Sequence, residues 1–569
     1  MRFGSLVRLI YVRPARYRVW ILILTIFFVL ALIPFLRSIY HSPGSAYSDL
    51  DAAAVTLIKN PPAVDLLTGE RLTSAKGARD VRNDQYKFRV EHPGYQTHYE
   101  WSDQPPLPAD ALLLAPDNPE AYRRLAWKNP AGPKLIVLQF DGMTPALVER
   151  YRAEHSMPAL ETMLERGTGG RLTSCCELRS PPIWTTINSG LPPAEHGIEG
   201  FLKSDPRTGD LLDYQPADVH APRLWDITRR HGLWTALLGV FLIDPQENLL
   251  GPQKLASGRR LVAQWRAEKS PAVVVLYLTD ADYTAHRHFL EAEPEHFRRQ
   301  GWHFTDEAVA FYREALPQAY RTLDAWIGLA LTLAGPDTAI LLLSDHGLRP
   351  VAGPPLPIAN AEKLAAILNK NLPGFTACDT RVDETLQLCA RPGTDLRSAK
   401  ELLENAKLDS GEPLFAGVSI HDLTAAGAGE PPARVLEAVV APALLSPDRR
   451  PTDRWNIGNR HPHLSRLFDF DATNSGEHDP EGVYYLAGAG IRVGSPAKDP
   501  SVFDAMPTML TLLGLPAALD MPGRAWTECL DGPKLLPRIA SYGRSNSTAA
   551  AQIPSAATIN HLKSLNYIQ

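Results

Sequence analysis

Cysteine is scarce in this chain, with five among 569 residues, and that excludes a scaffold built on disulfides. None of the five stands in a metal-ligand spacing. Cys378 and Cys389 are close enough to pair across a short loop in an oxidising compartment, whereas Cys175, Cys176 and Cys529 read as buried apolar residues. Excess positive charge is missing too. Lys and Arg number 58 against 63 Asp and Glu, a formal net charge of -5, so no broad basic surface for nucleic acid is indicated. Internal repeats are absent, and so is any Ser-His-Asp arrangement. What remains is ordinary globular material, 44% hydrophobic and 21% charged. It is enough for one large domain with insertions, or two to three smaller ones.

Long uncharged apolar runs are missing as well, except at one place. Residues 19–36, VWILILTIFFVLALIPFL, carry no charge, and at about 1.5 Å per residue this run spans about 27 Å, close to a bilayer's hydrocarbon core. Arg2, Arg8, Arg13, Arg16 and Arg18 precede it and only Arg37 follows closely. The bias predicts a single-pass anchor with a cytoplasmic N-terminus and everything beyond residue 37 extracytoplasmic, periplasmic if the source is bacterial. A cleaved signal peptide fits less well, because the run exceeds a usual h-region and no clear A-x-A site follows.

Short β-branched runs recur at 134–140 (KLIVLQF), 234–242, 272–279, 339–344 and 482–490. Helix-like stretches lie between them, and LWDITRRHG and AYRTLDAWIGLALTLAG end at Gly as a helix stop should. This alternation predicts an α/β three-layer sandwich, a mostly parallel central sheet flanked by helices. The expected organisation is a basic segment at 1–18, the transmembrane helix at 19–36, and a stalk with a small packed segment at 37–133. The core follows at 134–350, then an inserted cap at 351–460, the rest of the core at 461–530 and a tail at 531–569.

Three of the strands run into acidic residues: Asp141-Gly142, Asp280-Ala-Asp282, and Asp345-His346-Gly347. One such Asp alone is usually a turn or helix-cap residue. Three together, at the ends where open α/β sheets bind ligands, predict a shared site. Asp282 and His286 are four apart and share one face of a helical turn. Asp345 and His346 suit a strand-end turn, and His478 lies in a loop before a strand. Zinc accepts such a mixture of carboxylate and imidazole, whereas magnesium and calcium sites would be mostly oxygen. Ser180, followed by Pro181, reads as a helix N-cap. It also reads as a nucleophile at a helix end that favours negative charge, activated by metal because no base is evident.

The order FDGM (140–143), SPPIWTTINSG (180–190), PPAEHGI (192–198), DYTAH (282–286), SDHG (344–347) and GEHDPEG (476–482) resembles the alkaline phosphatase superfamily. Within it, the pattern is similar to the type I phosphodiesterases and nucleotide pyrophosphatases. The likeness extends to FDAMPTMLTLLGLP (503–516) and covers roughly 134–350 and 470–530. It implies two Zn2+ ions, one held by Asp141, Ser180, Asp345 and His346, the other by Asp282, His286 and His478. It leaves His196 structural, and His461 and His463 match no motif. Asp280 and His288 compete at the third strand, where the four-residue spacing selects Asp282 and His286.

The resemblance implies in-line displacement through a covalent phosphoryl-serine on Ser180, with retention at phosphorus. The nucleotide branch carries an Asn shortly after its H-G-I, and here Phe201 stands near that position. A formylglycine sulfatase would need Arg where Trp184 stands. The expected substrate is therefore a small phosphodiester or related phosphate ester, a lipid or glycan derivative among them, and not a nucleic acid. A membrane-associated transferase and a non-catalytic binding protein are the alternatives on the same scaffold.

Overall fold

The computed structural model describes residues 54–59, 86–91, 94–102 and 115–544, the last with short gaps of which the longest are 378–384 and 423–433. The basic segment at 1–18, the expected anchor at 19–36, Cys378 and the tail beyond 544 lie outside the described residues. Among the described residues no helix is long and apolar enough to cross a membrane.

Six strands build the central sheet: β1 (Leu135–Phe140), β2 (Gly167–Thr173), β3 (Thr235–Leu238), β4 (Val273–Leu278), β5 (Ala339–Leu343) and β6 (Glu481–Gly488). Their spatial order is β2-β6-β5-β1-β4-β3. The β5/β1, β1/β4 and β4/β3 pairs are parallel, but β6 runs antiparallel to both its neighbours. The sheet is mixed but mostly parallel, as expected: β1 to β5 run one way and β6 alone opposes them. Its chain enters β6 from Gly476–Asp479, a strand paired with Gly347–Pro350 just beyond the end of β5. From that side β6 can only return against β5.

Both faces of the sheet are covered, and the side-chain alternation of a strand divides the core in two. Ile136, Leu138 and Phe140 of β1 face one cluster, and Leu135 and Val137 face the other. Six helices pack against the sheet: α1 (Pro158–Leu164), α2 (Ser180–Ser189), α3 (Leu224–Arg230), α4 (Asp280–Ala292), α5 (Ala315–Leu333) and α6 (Ala505–Leu512). Residues of α1, α4 and α5 pack in the first cluster, and those of α2, α3 and α6 in the second. A third cluster lies within the stretch from Ala359 to Phe468, around a four-stranded antiparallel sheet. The two-residue pair Ile358–Ala359 with Phe468–Asp469 brings the ends of this stretch together.

Strand β2, GTGGRLT, gave no strand signal because it holds three glycines. They serve close approach to β6: a Cβ at Gly169 would run into the Tyr485 ring. Cys175 and Cys176 also differ from expectation. They form a disulfide between chain neighbours, in the loop from β2 to α2. Cys176 is exposed there, with φ at +61°. So short a ring removes little unfolded-state entropy, and its effect is confined to the local turn.

One buried acid outside the site couples two helices. Asp324 of α5 accepts hydrogen bonds from the backbone N–H groups of Ala159 (3.0 Å) and Leu160 (2.8 Å) in the first turn of α1. Burial outweighs these bonds and pushes its carboxyl up to about 7. A raised carboxyl contributes stability below its unfolded value, and that contribution is lost as pH rises through about 7. Asp324→Asn is neutral throughout and keeps an acceptor oxygen. Its melting temperature, measured from pH 4 to 8, is expected to decline less with pH than that of the parent chain. Parallel curves would show that Asp324 is not the titrating group.

Candidate metal centre

The carboxyl ends of β1, β4 and β5 meet. Asp141 follows β1, and its N–H bonds Leu278 of β4 while its carbonyl accepts from Asp282 N–H (3.1 Å). Gly142 turns the chain with φ at +68°. A Cβ there would lie 2.7 Å from Asp282 Cα, so the residue must be Gly. Asp282 sits in the first turn of α4 with His286 one turn on, and Asp345-His346 leave β5 after Ser344. The Gly347–Pro350/Gly476–Asp479 pairing sets His478 opposite Leu348.

Ser180 is the first residue of α2 rather than its N-cap. Arg179 takes the cap position, and no side chain caps this end. The reason is chemical: Pro181 and Pro182 offer no N–H for a serine oxygen to accept. The Ser180 hydroxyl points inward instead, donating to Asp141 Oδ1 (3.2 Å) and lying 3.3 Å from His346 Nε2.

All seven expected residues come together. Asp141, Asp345 and His346 each offer a ligand atom, mutually within 4.8 Å, beside Ser180. His286 Nε2 lies 3.4 Å from Asp282 Oδ1 and 3.0 Å from His478 Nε2, which is itself 3.5 Å from Asp282 Oδ1. His346 stands between the groups, and its ring centroid is 3.9 Å from that of His478. Six of the seven are buried, and His478 is partly so.

The donor set fits divalent cations. Each histidine turns Nδ1 to a backbone carbonyl: His286 to Gly476 (2.8 Å), His346 to Gly347 (3.0 Å), His478 to Leu178 (2.5 Å). That assignment puts the proton on Nδ1 and leaves Nε2 to ligate, as metal-bound histidines require. Among the described residues Asp345 Oδ2 is buried with no hydrogen-bond partner and only His346 Nε2 at 3.4 Å, a costly state that a cation relieves.

Electrostatics agree. Burial, then the charge of Asp282, pushes Asp141 up to about 6 against bonds from Tyr277 and Trp184. Burial and repulsion from Asp141 and Asp282 hold Asp345 well above the carboxylate range. Burial would also raise Asp282, but His286 and His478 outweigh it and hold that group well below. Burial, with His346 nearby, lowers His478 to about 4. Without cations, then, the cluster is frustrated.

Other candidates lie elsewhere. His288 pairs with Glu291 (3.3 Å) and stacks on Tyr312. His461 lies 3.6 Å from Asp409, and His463 contacts the Thr452 carbonyl. His196 is buried against Thr186 (3.1 Å) and accepts from Ile198 N–H. Sequence reasoning missed the ligands' supports: Tyr277 and Trp184 on Asp141, and Asn474 near His286 Nδ1 (3.1 Å). A tyrosine inside a wholly buried strand was the available signal, since its hydroxyl needs a partner. Beside α2 a cavity of about 530 Å³ is lined by Cys176, Arg179, Pro182, Glu199, Lys203 and Tyr214, among others.

No curated protein matches the chain. A family model does, that of the type I phosphodiesterases and nucleotide pyrophosphatases, over residues 135–390. That stretch holds six of the seven clustered residues and the strands that carry them. Residues 135–390 accordingly match the type I phosphodiesterases and nucleotide pyrophosphatases, a metal-dependent family of phosphoester hydrolases within the alkaline phosphatase superfamily.

Proposed function

We propose that this chain hydrolyses phosphodiesters or related phosphate esters with two zinc ions and a covalent intermediate on Ser180. The carrying observation is the Ser180 hydroxyl, 3.2 Å from Asp141 Oδ1 and 3.3 Å from His346 Nε2, at a helix end that offers it no other work. Asp141, Asp345 and His346 with Ser180 would hold one ion, and Asp282, His286 and His478 the other. When bound, the ions would supply Lewis acidity for the nucleophile and the leaving oxygen.

The rest falls to the chain's own groups. Ser180 Oγ stands beside Asp141 Oδ1 and His346 Nε2, and its proton leaves to solvent as the serine oxygen bonds to phosphorus and the leaving oxygen departs. The alcohol takes up a proton and dissociates. Water then attacks the phosphoryl-serine ester, the P–O bond to Ser180 breaks, and the serine regains its hydroxyl. Diester and water give monoester and alcohol, with retention at phosphorus after two inversions. The three Nδ1 tethers keep the imidazoles aimed throughout. Arg179 and Lys203, in the recess beside α2, would meet polar parts of a small substrate, a lipid or glycan phosphate ester. The uncharged run at 19–36 behind five arginines supports a membrane anchor with the site extracytoplasmic.

Bis-p-nitrophenyl phosphate and p-nitrophenyl phosphate, assayed with chelator and with added zinc, test this reading. Zinc-dependent release from the diester without an acceptor is expected. Release only with an added alcohol would make the chain a transferase. No release with two zincs bound would make it a binding protein.

A further inference from the structure

The two oxygens of Asp141 have different surroundings. Oδ1 faces Ser180 Oγ (3.2 Å) and His346 Nε2 (3.4 Å). Oδ2 accepts from the Tyr277 hydroxyl (2.6 Å) and the Trp184 indole N–H (3.1 Å). Trp184 lies four residues after Ser180, so one turn of α2 reaches both oxygens of the same carboxylate. Tyr277 comes from β4, where it sits opposite Gln139, two residues before Asp141. Neither donor is free to swing away. The two rings are buried and meet edge to face at 5.4 Å, and Phe241 closes on Tyr277 at 6.3 Å.

We infer that Tyr277 and Trp184 are positioning residues that reserve Asp141 Oδ1 for the metal and hold Oδ2 as a permanent acceptor. Resting on the metal-centre reading above, this adds a division of labour within one ligand. Two donors on Oδ2 occupy its lone pairs and fix the carboxylate plane, so the carboxylate binds through one oxygen in one orientation. Because Trp184 and Ser180 share a helical turn, any shift of α2 moves ligand and nucleophile together.

Tyr277→Phe and Trp184→Phe each remove one donor and keep a ring in place. Zinc affinities of the full chain, parent and variants, would be read by titration against a competing chelator, alongside kcat, KM and the pH–rate profile. One of the two zinc affinities is expected to fall about 10- to 100-fold, with the other unchanged. With both sites saturated, kcat should fall, KM should change little, and the pH–rate profile should shift. A merely structural role would lower the melting temperature and leave both affinities equal to the parent's, which overturns the proposal. Asp141→Asn separates this failure from a deeper one: if that variant also keeps both affinities, Asp141 is no ligand and the reading beneath falls too.

Discussion

Ser180→Ala is expected to lower phosphodiester turnover by about 10⁴-fold or more, the scale on which removal of a covalent nucleophile acts. The change deletes one oxygen and little else. Ser180 caps no helix end, since the cap position is Arg179 and the two residues after Ser180 are prolines. Folding should therefore survive. Zinc binding should weaken mainly at the site shared with Asp141, because the hydroxyl belongs to that group. A radiolabelled diester quenched in acid should leave phosphate on the parent chain and none on the variant. Parent-like turnover of the variant would mean that water attacks phosphorus directly and that Ser180 is no nucleophile.

Removal of metal is the second large effect. With zinc at 100 times its dissociation constant, each site adds about 2.7 kcal/mol to stability. Two sites give about 5 kcal/mol, or on the order of 10 °C in melting temperature. Activity should vanish with the metal and return on its addition. The loss should also depend on pH, in a direction set by the carboxylates. In the metal-free chain burial and mutual repulsion raise Asp141 to about 6 and hold Asp345 well above the carboxylate range. A carboxyl raised in the fold stabilises it below the unfolded value, and that contribution disappears as pH climbs through the folded value. The metal-free chain should thus lose melting temperature from about pH 4 to 6. The zinc-loaded chain, its site charges compensated, should decline less and keep only the slope that Asp324 imposes. Identical curves with and without zinc would place the ions elsewhere.

The short β-branched runs before Asp141, Asp282 and Asp345 announced buried parallel strands, because continuous apolarity over so few residues suits little else. The spacing of Asp282 and His286 carried its own geometry, since a helical turn aligns residues four apart. These are local properties, and local properties survive in one dimension. Gly-rich β2 gave no such signal: its residues are chosen for the Tyr485 ring they must clear, and that ring lies over 300 positions away. Ser180 read as a cap for a related reason, as Ser-Pro is ambiguous until its surroundings appear.

The chain alone, then, determined the residue types of the site, the strand ends that carry them, and the carboxylate and imidazole mixture that suits a divalent cation. Only the tertiary structure decided which atoms meet. It turned three Nδ1 atoms to carbonyls, sent the Ser180 hydroxyl inward, ran β6 against its neighbours and set Tyr277 and Trp184 behind Asp141. Propensity and spacing act over a few residues. Orientation of a buried polar group is decided by whichever distant donor or acceptor satisfies it, and that partner is known only once the chain has closed.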